Sequence, residues 1–365
     1  MPKDARVTAR PPETTDRFLN PAIAAPQAWD KLAAHLARHS MRLSTSPAPQ
    51  QFSGGFGNLN FLVEIDGQPS VLRRPPAGPL PPGGNDMARE HKVLSRLWQK
   101  FPLAPRALHF SADDAVLGAP FFIMEYRPGW VVRGTLPEPL DGQGGALSAM
   151  LVETLAAFHA VGPAEVELDD LGRPEGFLER AVEGWLKRAA AATDDAPPVI
   201  VRSIGDWLRA NRVPDPTPTL LHNDFKLDNV VLAALNIERI VAVLDWELST
   251  LGEPLTDLGT TLAYWVEDGD GDDIKALPMG LTWLPGCLTR TALVDRWQEQ
   301  SGRTAHNLIF YYVLAMFKVA TIAQQIYARY VKGFTKDERF ALLGFAAAII
   351  GARAVRALDS DSVQP

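Results

Sequence analysis

The sequence predicts an α+β protein with two lobes, a small N-terminal lobe built on an antiparallel sheet and a larger, mostly helical C-terminal lobe. Three observations support this prediction. Short apolar segments separated by turns dominate residues 51–126, which is typical of strands. Apolar residues recur with helical periodicity over much of residues 147–358. The length of 365 residues also favours two lobes over one.

The first part of the predicted N-terminal lobe contains a helix and a hairpin. Residues 1–25 are rich in Pro, Thr and charge, so we expect a flexible arm there and place the lobe at residues 26–126. Apolar residues at helical spacing predict an amphipathic helix that begins near Trp29. Residues 60–65 and 70–72 flank an Asp-Gly turn, which indicates a β-hairpin.

The second part of this lobe should complete the sheet. A Pro/Gly-rich stretch at residues 75–84 predicts a surface loop, and residues 87–101 then show a helical pattern. Residues 107–110 and 121–126 are expected to be strands. The following Arg-Pro-Gly breaks the chain, so the C-terminal lobe is placed at residues 127–365. Its predicted helices are residues 147–161, 177–191, 199–211, 290–301, 308–330 and 336–358.

Composition and charge narrow the functional class. A net charge of −7 argues against nucleic acid or an anionic membrane as partner. The single cysteine, Cys287, excludes a disulfide framework, and the charged N-terminus does not resemble a secretory signal. The longest apolar run, residues 340–350, is too short to span a membrane and is predicted to be a buried helix. We therefore expect a cytoplasmic protein, with its oligomeric state left open.

The most informative segment is His222-Asn-Asp-Phe-Lys-Leu-Asp-Asn229, which lies between two short apolar runs. Its spacing matches a loop in which an aspartate accepts the proton of an attacking hydroxyl and an asparagine five positions later holds magnesium. Asp224 and Asn229 are the candidates for these roles. The alternative is a polar turn that only caps a hairpin.

A second magnesium ligand is predicted at Asp245, which ends the apolar run Val241–Leu244 and lies 16 residues after Asn229. Carboxylate and amide oxygens suit Mg²⁺, which takes the rest of its ligands from water and phosphate. The alternative is an ordinary aspartate in a turn.

A glycine-rich turn between two strands is a candidate phosphate-binding site. Its residues are Ser53, Gly54, Gly55, Phe56, Gly57 and Asn58. Glycines let backbone amides approach phosphate oxygens closely, although glycine hairpins without this function are common. Arg73 follows at the position where a kinase strand carries its phosphate-binding lysine. Arg74 should point to the opposite face of the strand, where a solvated surface charge is expected.

Four further residues are candidates for binding the nucleotide. Glu90 is placed to pair with Arg73, although it also suits an exposed helix face. Met124, Glu125 and Tyr126 end an apolar strand where backbone groups could meet adenine; the alternative is an edge strand that only connects the lobes.

Charge is unevenly distributed later in the chain. Asp257 is interpreted as an N-terminal helix residue that favours the helix dipole. Residues 247–273 carry eight acidic residues without Lys or Arg, whereas residues 310–356 have a net charge of +5. The first run could receive a polycation and the second a phosphate-bearing acceptor, or either could be a solvated face.

Together, the glycine turn, Arg73, Glu90, the segment 222–229 and Leu-Asp-Trp-Glu at 244–247 resemble the aminoglycoside phosphotransferase (APH) and choline kinase-like family. Further motifs look closest to the kinase domains allied to acyl-CoA dehydrogenase members 10 and 11. They are Val-Leu-Arg-Arg-Pro-Pro at 71–76, Gly-Glu-Pro-Leu-Thr-Asp-Leu at 252–258 and Ile-Tyr-Ala-Arg-Tyr at 326–330.

This resemblance implies a protein-kinase-like bilobal fold, ATP and Mg²⁺ as cofactors, and the hydroxyl of a 4-hydroxyacyl-CoA as phosphate acceptor. Two departures from protein kinases are apparent. Asn60 replaces a third glycine, and Trp246-Glu247 follows Asp245 in place of Phe-Gly. The second departure is shared by small-molecule kinases of the family and argues against a protein substrate.

The leading hypothesis is a kinase that phosphorylates a small-molecule hydroxyl, such as a 4-hydroxyacyl-CoA or a related hydroxy acid. Two alternatives stay open, an aminoglycoside 3'-type phosphotransferase and a nucleotide-binding pseudokinase without transfer activity.

Overall fold

A computed structural model describes residues 16–54, 57–76, 85–132, 142–194, 198–214, 218–233, 239–277, 279–280, 282–334 and 338–364. Its contacts divide the chain into two compact units. Unit 1 comprises Met1–Val131 and Asn229–Glu247, and unit 2 comprises Val132–Asp228 and Leu248–Pro365.

An antiparallel sheet forms the centre of unit 1. Its strands are β1 (Leu43–Ser44), β2 (Gln50–Gln51), β3 (Leu59–Ile65), β4 (Gln68–Arg74), β5 (Ala107–Ser111) and β6 (Phe121–Glu125). They run in the order β1-β3-β4-β6-β5, with β2 also paired to β3. The predicted hairpin is confirmed, since β3 and β4 pair from Leu59 with Arg74 to Ile65 with Gln68 around the Asp66-Gly67 turn. Because β6 is bonded to strands on both sides, it is not the edge strand considered as an alternative.

Three helices accompany the sheet: α1 (Trp29–Arg38), α2 (Met87–Leu94) and α3 (Asp114–Leu117). Helix α1 places Leu32 and Leu36 on one side because residues four apart project together. Both leucines join a buried cluster with Phe61, Leu72 and Phe121 from the sheet. The predicted helix at residues 87–101 is interrupted, since α2 ends at Leu94 and a 3₁₀ turn follows at Leu97–Gln99.

Part of the predicted N-terminal arm is bound to the sheet. Residues 1–15 lie outside the described part of the chain. After them, Phe18 forms a β-bridge with Phe52, and the backbone N–H of Leu19 donates to Gln51 O at 2.9 Å. Backbone hydrogen bonds and an apolar contact thus dock the beginning of the described arm against unit 1.

The segment from Asn229 to Glu247 joins unit 1, whereas the sequence analysis placed it in a C-terminal lobe that begins at residue 127. It contains the antiparallel pair β8 (Val230–Leu232) and β9 (Ile240–Val243). Trp130 and Leu232 exchange two backbone hydrogen bonds of 2.8 Å, and the Val243 N–H donates to Leu103 O at 2.8 Å. These bonds explain why a segment distant in sequence packs with the first part of the chain.

Unit 2 is mostly helical, as predicted for the C-terminal part. Its helices are α4 (Gly144–His159), α5 (Phe177–Ala192), α6 (Val199–Ala210), α7 (Leu255–Tyr264), α8 (Asp272–Lys275), α9 (Arg290–Ser301), α10 (Leu308–Val331) and α11 (Leu343–Ser360). Helix α10 is the central element, with a buried stretch from Phe310 to Ala320 that packs against α5, α7 and α11. The pair β7 (Thr219–Leu221) and β10 (Thr250–Gly252) completes the unit.

Two segments of unit 2 have the length and hydropathy of a membrane span, Leu308–Val331 and Glu338–Ser360. In the first segment 72% of the most apolar stretch is buried inside the protein, and in the second segment 39% is buried. The prediction of a buried helix at residues 340–350 is therefore wrong at its beginning, where Leu342 and Phe345 are exposed. A core helix passes the same test of length and composition, so the finding gives only weak evidence for a membrane.

Candidate functional site

In unit 1 the predicted Arg73–Glu90 ion pair is present. Arg73 lies on β4, and its Nε donates to the Glu90 carboxylate at 2.7 Å. Glu90 lies on α2 and is 1% exposed, so the alternative of an exposed helix face is wrong. The same guanidinium contacts Asp245 at 2.6 Å and Glu247 at 3.6 Å. Arginine's fork of donors thus brings three predicted site residues together and adds Glu247, which the sequence analysis did not assign.

The electrostatics of this cluster follow from one guanidinium facing three carboxylates. Burial alone would lower the pKa of Arg73, but Glu90, Asp245 and Glu247 together raise it. Burial raises the pKa of Glu90 to about 7, and the repulsion from Asp245 and Glu247 adds to this against the attraction of Arg73. Arg73 therefore stays charged, and Glu90 is the carboxylate that most easily accepts a proton.

Asn229 and Asp245 lie at corresponding ends of β8 and β9. Val230 pairs with Val243, and the Leu244 N–H donates to Asn229 O at 2.7 Å, so Asp245 follows the residue opposite Asn229. Asp245 has a backbone φ of 70°, a left-handed conformation that aspartate tolerates better than most residues. Together these residues offer one amide and one carboxylate oxygen, which fits the donor set that Mg²⁺ prefers. Their roles as ligands remain predictions.

The glycine turn is described in part, since Gly55 and Phe56 lie outside the described residues. Ser53 donates through its backbone N–H to Arg17 O at 2.8 Å, and Gly54 follows it. On the other side, the Asn58 side chain donates to Glu247 Oε2 at 2.7 Å. Asn85 donates to Gly57 O at 2.6 Å. The turn is therefore tied to the Arg73 cluster through Asn58 and Glu247.

Arg74 corrects one prediction. It is 7% exposed and is not a solvated surface charge. Its guanidinium donates to Gln27 Oε1 at 2.7 Å, to Leu117 O and to Pro75 O. Arg74 lies on the face of β4 opposite Arg73. It is buried because α1, α3 and the segment before α1 cover that face.

The predicted adenine-facing strand end has definite partners. Met124 pairs with Val71 of β4, and the Glu125 carboxylate bonds Arg127 at 2.8 Å. The Tyr126 hydroxyl donates to Asp16. These contacts fix the strand end, and the role of residues 124–126 in nucleotide binding stays a prediction.

In unit 2 the segment that carries Asp224 is held by Asp257. The Asp257 carboxylate accepts the backbone N–H groups of His222 at 2.7 Å and Asn223 at 2.6 Å. Asp257 lies in the first turn of α7, as expected, but it is fully buried and contacts a distant loop. The dipole interpretation therefore missed its main interaction, because no local pattern connects residues so far apart in sequence.

A buried chain of side chains supports Asp257. The Trp297 indole donates to His159 Nδ1 at 3.2 Å, so His159 Nε2 carries the proton and donates to Asp257 at 3.2 Å. Burial alone would raise the pKa of Asp257, but the hydrogen bonds from the His159 side chain and the His222 backbone lower it. Asp257 is thus kept ionised as an acceptor for the loop.

One lysine contacts Asp224, and a second binds the residue before it. Lys226 contacts the Asp224 carboxylate at 2.9 Å and lies 4.4 Å from the centre of the Tyr264 ring. Burial alone would lower the pKa of Lys226, but Tyr264 and Asp224 raise it. Lys318 is buried on α10, donates to Asn223 O, and has a pKa lowered by burial. The sequence analysis did not assign these lysines, although Lys226 lies only two residues after Asp224.

The acidic run is largely engaged inside the protein, whereas most of the basic run is exposed. In the acidic run, Asp257 and Asp270 are engaged by buried partners, Glu267 bonds Arg290, and Glu247 bonds Asn58. In the basic run, Lys318 and Arg353 are buried. The exposed basic residues are Arg329, Lys332, Arg339 and Arg356.

An arginine bound to a helix glutamate and a strand-end aspartate, together with an HxDxxxxN loop, defines a class of protein: a small-molecule kinase with a protein-kinase-like fold. Such kinases use ATP with Mg²⁺ as phosphoryl donor. The chain belongs to the phosphotransferase enzyme family (APH), whose model matches residues 49–288.

The curated relatives that this chain resembles are named as acyl-CoA dehydrogenase family members. Acyl-CoA dehydrogenase family member 11 from Gallus gallus is 34% identical over 301 residues, which cover 79% of this chain and 38% of that protein. The Homo sapiens protein of that name is 30% identical, with 84% and 39% covered. This chain thus spans less than half the length of these relatives.

Among solved structures, a Ralstonia eutropha protein provisionally assigned as an aminoglycoside phosphotransferase has 25% identity and a TM-score of 0.71, with 89% of this chain and 96% of that chain covered. A mutant of aminoglycoside phosphotransferase APH(4)-Ia, in complex with ADP and hygromycin B, has 17% identity and a TM-score of 0.56, with 88% and 98% covered. The second likeness concerns the fold alone.

Proposed function

We propose that this chain transfers the γ-phosphoryl group of ATP to the hydroxyl of a 4-hydroxyacyl-CoA or a related hydroxy acid. The observation that carries the transfer step is the position of Asp224 in a loop whose backbone is fixed by buried Asp257. A fixed loop matters because a positioned acid or base contributes only when it reaches the reacting proton.

In this proposal the acceptor hydroxyl attacks the γ-phosphorus while its proton passes to Asp224, and the bond to the β-phosphate oxygen breaks to release ADP. Lys226, at 2.9 Å from Asp224, keeps that carboxylate oriented and adds positive charge next to it. Arg73 binds phosphate oxygens and is itself held by Glu90. Asn229 and Asp245 would hold Mg²⁺, which neutralises charge on the transferred phosphate when it is bound.

The acceptor class is supported by relatives and by the distribution of charge. The curated relatives are named as acyl-CoA dehydrogenase family members, so an acyl-CoA or a product derived from one is the acceptor that best fits their names. An aminoglycoside is a polycation and would require exposed carboxylates. Much of the acidic run bonds to groups of the protein itself, which disfavours that alternative.

One panel tests the proposal: ADP release with 4-hydroxyacyl-CoAs, free hydroxy acids, choline and aminoglycosides in parallel. We expect turnover with the hydroxyacyl-CoAs, reduced turnover with the free acids, and none with kanamycin-like polycations. Turnover restricted to aminoglycosides would overturn the acceptor assignment. Thermal stabilisation by MgATP without ADP release for any acceptor would instead support the pseudokinase alternative.

A further inference from the structure

Three of the seven histidines converge in unit 1, away from the Arg73 cluster in sequence and on different elements. His35 lies on α1 and His39 directly after it, so their side chains project from one side of the helix end. His109 lies on β5. The candidate ligand nitrogens of all three lie within 4.8 Å of one another.

The packing of these rings is close. The Nε2 atoms of His35 and His109 are 2.9 Å apart, and the ring centre of His39 lies 4.8 Å from each of the other two. His35 is buried, His109 is half-buried and His39 is exposed. Imidazole nitrogens are among the commonest metal ligands in proteins.

We propose that His35, His39 and His109 bind one divalent transition metal ion of the zinc type and thereby link α1 to β5. Imidazole nitrogen suits Zn²⁺, Cu²⁺ and Ni²⁺, whereas Mg²⁺ prefers oxygen ligands. With bonds of about 2.0–2.1 Å and tetrahedral angles, three ligand nitrogens stand about 3.3 Å apart. The separation of 2.9 Å between the Nε2 atoms of His35 and His109 is close to this, and exposed His39 has the freedom to move closer from within 4.8 Å. A water molecule would occupy the fourth position.

One neighbour opposes the ion. Arg38 Nη2 lies 3.5 Å from His35 Nδ1 and brings positive charge to the site. If His35 binds through Nε2, its Nδ1 carries the proton and Arg38 must turn away, which its exposed position permits. Removing the Arg38 guanidinium should therefore strengthen metal binding.

The ion would stabilise unit 1. Helix α1 is attached to the sheet by the apolar contacts of Leu32 and Leu36, and a metal bond to His109 adds a link between the end of that helix and β5. Because the ligands come from two elements, the ion binds the folded form better than the unfolded chain and raises the melting temperature.

The test uses the full chain, freed of metal with a chelator and then titrated with Zn²⁺ in excess Mg²⁺, which occupies oxygen sites. Calorimetry and elemental analysis after dialysis should give one bound Zn²⁺ per chain. His39→Ala should weaken binding at least about 100-fold, since loss of even an outer partner costs 10- to 100-fold. His306→Ala removes another exposed histidine and should leave binding unchanged.

Two further measurements make the test decisive. Co²⁺ should give a visible ligand-field spectrum with the parent protein, absent from His39→Ala, and Arg38→Ala should bind Zn²⁺ more tightly than the parent. Failure of the parent to bind Zn²⁺, or equal binding by His39→Ala, would overturn the proposal and leave a hydrogen-bonded imidazole cluster only. Because His39 is exposed, loss of folding does not complicate the result for that variant.

Discussion

The Asp257 carboxylate accepts the backbone N–H of His222 at 2.7 Å across 35 residues of sequence. It also accepts the next N–H, that of Asn223, at 2.6 Å. One buried side chain thus fixes the two residues immediately before Asp224. Asn223 needs such support because its φ of 65° lies in the left-handed region.

Asp257→Asn should lower kcat about 100-fold. A carboxamide has one acceptor oxygen and cannot hold both backbone N–H groups, so the loop that carries Asp224 would shift, and a small displacement of a catalytic group costs about this much. Each N–H left without a partner also costs about 1–3 kcal/mol. The KM for ATP should change less than kcat, since the hydrogen bonds of Asp257 hold the loop of the proposed base. Steady-state kinetics with ATP varied would check this. Asp273→Asn, an exposed change in the same acidic run, should behave as the parent; a parental kcat in Asp257→Asn would contradict the positioning role.

Asp224→Asn should lower kcat by about 100- to 10,000-fold, the range for loss of a positioned acid or base. The fold should persist because Asp224 is not part of the buried core. A thermal melt with and without MgATP tests whether folding and nucleotide binding survive. Full activity in this variant, with 4-hydroxyacyl-CoA or any other acceptor, would remove Asp224 from its proposed role.

The sequence predicted the parts of the site that depend on local spacing. Asp224 and Asn229 occur in one segment, and Arg73 follows a glycine turn on the strand where a kinase carries its basic residue. The structure adds what spacing does not contain. Asp257 and Glu247 acquire their roles through contacts with residues far along the chain, and only the folded backbone brings these together.

The fold was predictable to a similar extent. Alternating and helical patterns identified the hairpin and the long helices, because period and length are local properties. The placement of residues 229–247 in unit 1 was not predictable, since it depends on the backbone bonds of Trp130 and Val243. The prediction that Arg74 is a solvated surface charge was wrong for a related reason. Strand alternation predicts the face on which Arg74 lies, but it does not reveal that α1 and α3 cover that face.

Arg73→Met should lower the free energy of unfolding by at most about 3–5 kcal/mol, because Glu90 loses its cation while buried and offsets part of this loss by taking up a proton. It should also raise the Kd for MgATP. Arg73→Lys should reduce both the free energy of unfolding and the affinity for MgATP by less, since lysine keeps the charge but not the fork of donors. Urea unfolding and nucleotide titration measure the two effects. Arg89→Met removes a partly exposed arginine from the neighbouring helix and should change neither; equal behaviour of Arg73→Met and Arg89→Met would contradict the assignment.

The protonation of Glu90 predicts a pH dependence of stability. Its pKa rises from an ordinary 4.5 to about 7 on folding, mainly through burial. The bound proton therefore stabilises the folded state fully below pH 4.5, and this contribution is lost as the pH rises to about 7. Glu90→Gln lacks the proton equilibrium, so the stability of the parent relative to Glu90→Gln should fall across this window. Urea unfolding of both proteins at several pH values checks the slope; a constant difference would show that folding does not raise the pKa of Glu90.

Asp270 joins two buried arginines in unit 2. Its carboxylate bonds Arg290 at 2.8 Å and Arg353 at 3.2 Å, and both arginines are buried. Burial alone would raise the pKa of Asp270, but the two arginines lower it below its ordinary 3.8, so this stabilisation is present above that pH and is lost in stronger acid. Asp270→Asn should lower the free energy of unfolding by about 3–5 kcal/mol near neutral pH, because buried Arg353 loses its carboxylate partner and buried Arg290 keeps only Glu267. Asp268→Asn makes the same chemical change two residues earlier in an exposed ion pair with Lys275, where about 0–1 kcal/mol is expected. Urea unfolding of the two variants side by side measures the difference, and similar losses in both would show that the buried cluster is not a major source of stability.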